Sequence, residues 1–117
     1  MRIPFLFSVI LFFSVFVSAQ PTTEQEIQHL LNYVKTTPCQ YERNGDLHAG
    51  KDAIKHIQKK YDYFEDEIQS SEDFIKYSAT KSTISGRKYH VICKNKSKQE
   101  SAAWLLEELK RFRATYQ

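Results

Sequence analysis

Two cysteines constrain the fold of this chain more than any other feature, because two cysteines allow only one internal disulfide. They are Cys39 and Cys93 in a sequence of 117 residues. A bridge between them would hold their α-carbons within about 7 Å and would contribute about 4 kcal/mol in the chain-entropy model. The alternatives are a reactive thiol or a metal ligand, but no CxxC spacing and no nearby histidine-rich tract supports either. We predict a structural disulfide, which requires an oxidising compartment.

The amino-terminal segment indicates such a compartment. Arg2 precedes a mostly apolar run over residues 5–17, and small residues stand at the end of this run up to Ala19. This is the layout of a secretory signal peptide, and the run is shorter than the roughly 20 residues of a transmembrane helix. We expect a cleaved signal peptide over residues 1–19, with an uncleaved anchor as the alternative. Residues 20–117 then form one small periplasmic or secreted domain without stable membrane insertion.

Composition narrows the functional classes. The chain carries 17 basic and 14 acidic residues, a formal net charge of +3. This bias is too weak for a nucleic-acid-binding protein, which usually presents a concentrated basic face. The chain has only 3 glycines and no HExxH or zinc-finger spacing, so no phosphate-binding loop or metal motif is present. We predict no cofactor, no metal site and no nucleic-acid partner.

Apolar residues recur at helical spacing in four segments. The first predicted helix has a capping box at Thr23 and Glu26 and ends before Pro38, and the second covers residues 49–68. A short third helix is capped by Ser70. The fourth covers residues 101–116 and has a capping box at Ser97 and Glu100. Short strands are predicted over residues 39–43 and 89–93, and the disulfide would bring them together. The predicted fold is therefore mainly helical α+β, with about four helices around a short two-stranded antiparallel ribbon.

One polar cluster is the best candidate for a binding site. Tyr41, Arg43 and Asn44 surround a predicted turn, while His56 and Lys60 lie one turn apart on the second helix. Folding the turn against this helix face would form a polar pocket for an anionic group. The alternative interpretation is structural: Arg43 and Asn44 hold the turn, His56 packs at a boundary and Lys60 is solvated.

The sequence contains no established catalytic motif. A loop serine, Ser82 or Ser85, with His56 as its base would make a small hydrolase, but no GxSxG elbow supports this interpretation. His48 and His56 are too far apart on one helix to chelate a metal ion easily. We assign no catalytic residue.

Several of these residues carry a family resemblance. The motifs are Tyr41-x-Arg43-Asn44-Gly45, Ala53-x-x-His56-Ile57-x-x-Lys60, Glu72-x-Phe74-Ile75 and Ser85-Gly86-x-x-Tyr89. In this order they resemble the DUF5329 family, short exported bacterial proteins with a domain of unknown function. The resemblance covers roughly residues 39–93 and implies a periplasmic location in a Gram-negative bacterium. It implies no activity.

These observations favour a small periplasmic binding or interaction module without catalytic activity. Its expected partner is an unknown envelope protein or a small anionic ligand. The alternative is a small periplasmic hydrolase that uses His56 with a loop serine.

Overall fold

The computed structural model describes residues 3–5, 8–12 and 20–116, so the predicted cleavage site after Ala19 lies outside the described residues. In the described residues the chain forms four α-helices and one four-stranded antiparallel sheet. The elements are α1 (Thr23–Thr36), β1 (Gln40–Arg43), β2 (Asp46–Ala49), α2 (Gly50–Tyr63), a 3₁₀ turn (Glu65–Glu67), α3 (Ser71–Ser78), β3 (His90–Ile92), β4 (Gln99–Glu100) and α4 (Ser101–Ala114). The predicted α+β class is confirmed. Across these same ranges, we find no helix with the length and apolar character needed to span a membrane.

The sheet has the strand order β2-β1-β3-β4. The two predicted strands are present as β1 and β3, and the sheet extends by one strand on each side. Strand β2 forms because Asn44 and Gly45 make a tight hairpin turn with positive φ angles of 52° and 84°, which returns the chain beside β1. Strand β4 pairs through two polar residues opposite His90 and Val91. Backbone pairing rather than an apolar pattern creates both additional strands.

The helices pack against one face of the sheet. Tyr41 on β1 and Val91 on β3 are cross-strand partners, and both are buried in the core. The opposite face carries Glu42, which pairs with Lys98 at 3.2 Å and lies 3.5 Å from His90. The buried apolar core consists of Ile27, Leu30, Leu31, Val34, Tyr41, Ala53, Ile57, Phe74, Ile75, Ala79, Tyr89, Val91, Trp104, Leu105 and Leu109. The fold therefore has two layers, with a helical layer on a sheet whose other face is polar.

The predicted disulfide is confirmed. Cys39 and Cys93 are bonded, and their α-carbons lie 4.4 Å apart. Gln40 pairs with Ile92 at the adjacent position of the β1–β3 ladder. The bridge therefore links these two strands covalently just beyond their last backbone pair.

Helix α1 begins at Thr23, and its capping box lies one residue earlier than the sequence predicts. Its capping box is made by Thr22 and Gln25: the Gln25 amide donates to the Thr22 hydroxyl, and the Thr22 amide donates to the Gln25 side-chain oxygen. The predicted box at Thr23 and Glu26 is wrong, because the Glu26 side chain points into the protein.

Glu26 joins the first helix to the last. This residue is only 5% exposed, and its carboxylate accepts hydrogen bonds from Arg113 Nε at 2.6 Å and Nη2 at 3.0 Å, and from the Ser71 hydroxyl at 2.7 Å. The hydrogen bonds from Arg113 lower the pKa of Glu26, against the opposing effect of burial. A buried carboxylate held in this way stabilises the helical layer only while it is ionised.

The other helix boundaries depend on local pairing. Ser70 caps α3 as predicted, with its hydroxyl accepting from the Asp73 amide at 3.0 Å. The predicted capping box at Ser97 and Glu100 is wrong, because β4 continues directly into α4 and Glu100 makes no capping hydrogen bond. Helix α2 ends before the predicted Ile68 because a 3₁₀ turn follows it.

Candidate functional site

A small pocket lies between the β1–β2 hairpin and the first half of α2. Its lining residues are Tyr41, Arg43, His48, Asp52, Ala53, His56, Ile57 and Tyr89. The cavity volume is about 30 Å³, and one water molecule needs roughly 10–15 Å³ of a cavity measured in this way. The pocket therefore admits a few small chemical groups rather than a large ligand.

Strand register brings the sheet residues of the pocket together. Tyr41 pairs with His48 across the hairpin and with Val91 on the other side. Since side chains two residues apart on a strand share a face, Arg43 lies on the face of Tyr41, and Tyr89 lies on the face of Val91. This is the face that packs against the helices.

Helix α2 supplies the other wall. Asp52, Ala53, His56 and Ile57 line the pocket from two successive turns. Ala53 and Ile57 are buried and make this wall apolar, whereas Asp52 stands at the solvent edge with a half-exposed carboxylate. The α2 wall thus has an apolar part, made by Ala53 and Ile57, and a charged group at its solvent edge.

A hydrogen-bonded cluster joins two of the lining residues, His56 and Tyr89, to Lys60. His56 Nε2 lies 3.0 Å from the Tyr89 hydroxyl, and Lys60 Nζ donates to the same hydroxyl oxygen at 3.4 Å. Because an ammonium group can only donate, the Tyr89 proton is directed to His56, whose Nε2 then accepts. This arrangement requires a neutral His56.

The charges around His56 favour its neutral form. Burial lowers the pKa of His56 from 6.5 to about 4, and the positive charge of Arg43 adds to this effect, followed by Lys60, Lys59 and His48. Burial likewise lowers the pKa of Lys60. The surroundings of His56 therefore carry a positive potential.

Arg43 and His48 present unpaired polar groups at the pocket. The half-buried Arg43 side chain forms no hydrogen bond or ion pair with any other described residue, whereas the side chains of Arg111 and Arg113 are bonded to Glu108 and Glu26. His48 Nε2 is buried and lacks a hydrogen-bond partner within the described part of the chain. Most buried polar side-chain atoms are hydrogen-bonded, so these two groups are available to a ligand.

The structure places four of the five predicted site residues in or beside the pocket and the fifth, Asn44, away from it. Tyr41, Arg43 and His56 line the pocket, and Lys60 reaches it through Tyr89. Asn44 is exposed in the hairpin turn, where its side-chain oxygen accepts from the Ser85 hydroxyl at 2.7 Å and not from any pocket residue.

The hydrolase hypothesis needs a serine next to His56. The Ser85 hydroxyl donates to Asn44, and the Ser82 hydroxyl accepts from the Ser85 backbone amide. Neither serine lines the pocket, and among the described residues neither is hydrogen-bonded to His56. Among the described residues, the hydroxyl beside the imidazole is therefore that of Tyr89 and not that of the predicted serine.

His48 and His56 do not share a helix. His48 lies on β2, yet both histidines line the same pocket. In the described ranges, no group of three or more histidine, cysteine, aspartate or glutamate residues is arranged to hold a metal ion.

The family model described as a family of unknown function, DUF5329, matches residues 21–113. The chain belongs to the DUF5329 family. No curated protein and no solved structure matches it. The resemblance inferred from the spaced motifs is thus confirmed, and the match extends over nearly all of the described domain.

The site predicted from the sequence lacked three polar pocket residues of this DUF5329 protein. His48 follows from strand register, because a two-residue Asn-Gly hairpin turn places Arg43 opposite Asp46 and Tyr41 opposite His48. Tyr89 directly precedes β3, and its position two residues before Val91 places it on the same face. The third, Asp52, carries no comparable signal, because an acidic residue in the first turn of a helix is common for reasons of helix polarity.

We expect the DUF5329 domain to lose stability in acid in two stages. The unfolded chain protonates His56 near pH 6.5, whereas the folded protein does so only near pH 4, so the free energy of unfolding should fall as pH decreases between these values. Glu26, whose pKa is lowered in the folded state, should contribute a further loss at more acidic pH. Urea denaturation at a series of pH values measures both stages.

A His56→Gln variant is the control for this prediction. It should flatten the upper stage and leave the lower one unchanged. An identical pH profile for the variant and the parent protein would contradict the assignment to His56.

Proposed function

We propose that this DUF5329 protein is an exported, non-catalytic binding module that holds the anionic group of a small ligand in the pocket between the β1–β2 hairpin and α2. The observation that carries the proposal is the half-buried Arg43, which lines the pocket without an acidic partner among the described residues. An arginine offers several N–H donors in a planar fork that matches a carboxylate or phosphate. An anion is the group that would complete this site.

The surrounding potential supports an anionic ligand. Arg43, Lys60 and Lys59 all act on His56 in the direction expected of positive charges. The unpaired His48 Nε2 provides a further polar contact at the same cavity. An anion would thus compensate several like charges that the fold brings together.

A location outside the cytoplasm is part of the proposal. The predicted signal peptide supports export, and the Cys39–Cys93 disulfide is of the kind that persists in the periplasm or in secreted proteins. A partner protein of the envelope would fit the same pocket by inserting one acidic side chain.

An Arg43→Gln variant tests the proposal. We expect acetate, propionate or inorganic phosphate to shift the NMR signals of pocket residues in the parent protein, and the variant to bind roughly tenfold more weakly because charge-assisted hydrogen bonds are lost. The bound anion should also raise the pKa of His56, since it opposes the charge of Arg43.

An Arg87→Gln variant is the matched control. Arg87 is exposed and lies beside the same hairpin turn, near Gly45, but does not line the pocket. It should bind the probes as the parent protein does. Equal weakening in both variants would indicate general surface attraction and would refute the assigned site.

A further inference from the structure

The rim of the pocket carries one negative group beside its positive ones. Asp52 lines the same cavity as Arg43 and extends from the first turn of α2, while Arg43 extends from the end of β1. The two opposite charges therefore stand on different elements around one small opening.

The Asp52 carboxylate is available for a ligand. It forms an ion pair with Lys55, in which 3.9 Å separate the charged atoms of two exposed side chains, and such surface pairs are weak. Asp52 lies in the first turn of α2, whose N-cap residue Ala49 forms no side-chain capping hydrogen bond. An ammonium group that takes the place of Lys55 would leave the Asp52 carboxylate ionised, so its favourable position at the start of the helix would be kept.

From this arrangement we infer that the ligand is a free α-amino acid with a side chain of about one carbon. This inference rests on the proposed function and specifies the ligand of the same pocket. Arg43 and His48 would contact its carboxylate, and Asp52 would accept hydrogen bonds from its ammonium group. The side chain would enter the cavity between Ala53, Ile57 and the tyrosine rings.

The cavity sets the size of that side chain. Its volume of about 30 Å³ holds about two groups of the size of a water molecule, each of which needs roughly 10–15 Å³, so one methyl group fits beside the carboxylate. Its inner surface includes the buried Ala53, Ile57, Tyr41 and Tyr89. Tyr41 cannot move aside easily, because its hydroxyl is hydrogen-bonded to the buried Ser101 hydroxyl at 2.7 Å. Larger side chains would have to displace packed core residues.

The experiment compares three probes by NMR titration: L-alanine, propionate, which lacks the ammonium group, and L-leucine, which has a larger side chain. We expect L-alanine to bind roughly tenfold more tightly than propionate, because it gains a charge-assisted hydrogen bond, and roughly tenfold more tightly than L-leucine. An Asp52→Asn variant should bind L-alanine no better than propionate, while its affinity for propionate is not reduced.

Asp46→Asn is the matched control. Asp46 is the cross-strand partner of Arg43 but does not line the pocket, so the preference for L-alanine should persist. Equal affinities for L-alanine and propionate in the parent protein would overturn this inference and leave the anion site standing, as would equal effects of the two asparagine variants. Failure of every probe to bind would refute the proposed function as well.

Discussion

Replacing both Cys39 and Cys93 with serine is expected to lower the free energy of unfolding by about 4 kcal/mol, the contribution of a cross-link that closes a loop of this length. The bridge holds the end of β1 to the end of β3, where only short strands pair. A small domain has roughly 5–15 kcal/mol of stability in total, so the double variant should be close to marginal. Urea denaturation of the variant and the parent protein measures the difference.

Reduction of the parent protein is the control for this result. It should reproduce most of the loss without any substitution, and reoxidation should restore the original midpoint. If the double-serine variant unfolded at the same urea concentration as the oxidised parent, the bridge would have no stabilising role. Two free thiols in the purified protein would contradict the disulfide itself.

Gly50→Ala is expected to destabilise the domain by about 3 kcal/mol, at the upper end of the range for an overpacked site. Gly50 is the buried first residue of α2, and a β-carbon there would lie 2.1 Å from the Val34 carbonyl oxygen and 2.9 Å from the Thr37 side chain. The first contact is with backbone, so no side-chain rotation relieves it. Helices α1 and α2 would have to separate.

Gly86→Ala provides the matched control for the same chemical change. Gly86 has a φ of 73°, and a β-carbon added there would extend into open space, with none of the described residues beyond its chain neighbours within 4 Å. Alanine at this position therefore costs only the conformational strain of a left-handed residue, about 1 kcal/mol. Thermal or urea unfolding should rank Gly50→Ala well below Gly86→Ala in stability. The reverse order would show that close helix contact is not what requires glycine at position 50.

Gly50 illustrates a constraint that no local pattern in the sequence reveals. Its glycine is required by the approach of another helix rather than by a turn, whereas Asn44-Gly45 is recognisable as a turn because both residues tolerate positive φ. The sequence therefore supports prediction of the hairpin turn but not of the close contact between α1 and α2.

Glu26 shows that the long-range contacts of a polar residue are likewise not predicted by a local sequence pattern. At the third position after Thr23 it matches a capping box, yet the folded chain brings Arg113 and Ser71 to its carboxylate. Two charged hydrogen bonds from a distant arginine outweigh one local capping interaction. The helix then caps itself with Thr22 and Gln25 instead.

Several residues of the candidate site could be predicted from local sequence patterns. Tyr41, Arg43 and His56 could be selected because polar residues of a turn and of a helix face recur at spacings that allow them to meet. The presence of Asp52 and the absence of an acidic partner for Arg43 among the described residues depend on which side chains surround the cavity, and local periodicity carries no information about such neighbours.

The amino-acid sequence by itself determined the helical segments, the single possible disulfide and the family, because helix periodicity, cysteine number and motif spacing are properties of neighbouring or countable residues. Only the tertiary structure determined the four-stranded sheet, the inward-pointing side chain of Glu26 and the presence of opposite charges at the pocket. Each of these features depends on favourable contacts between residues that are far apart in the chain and become neighbours only after folding.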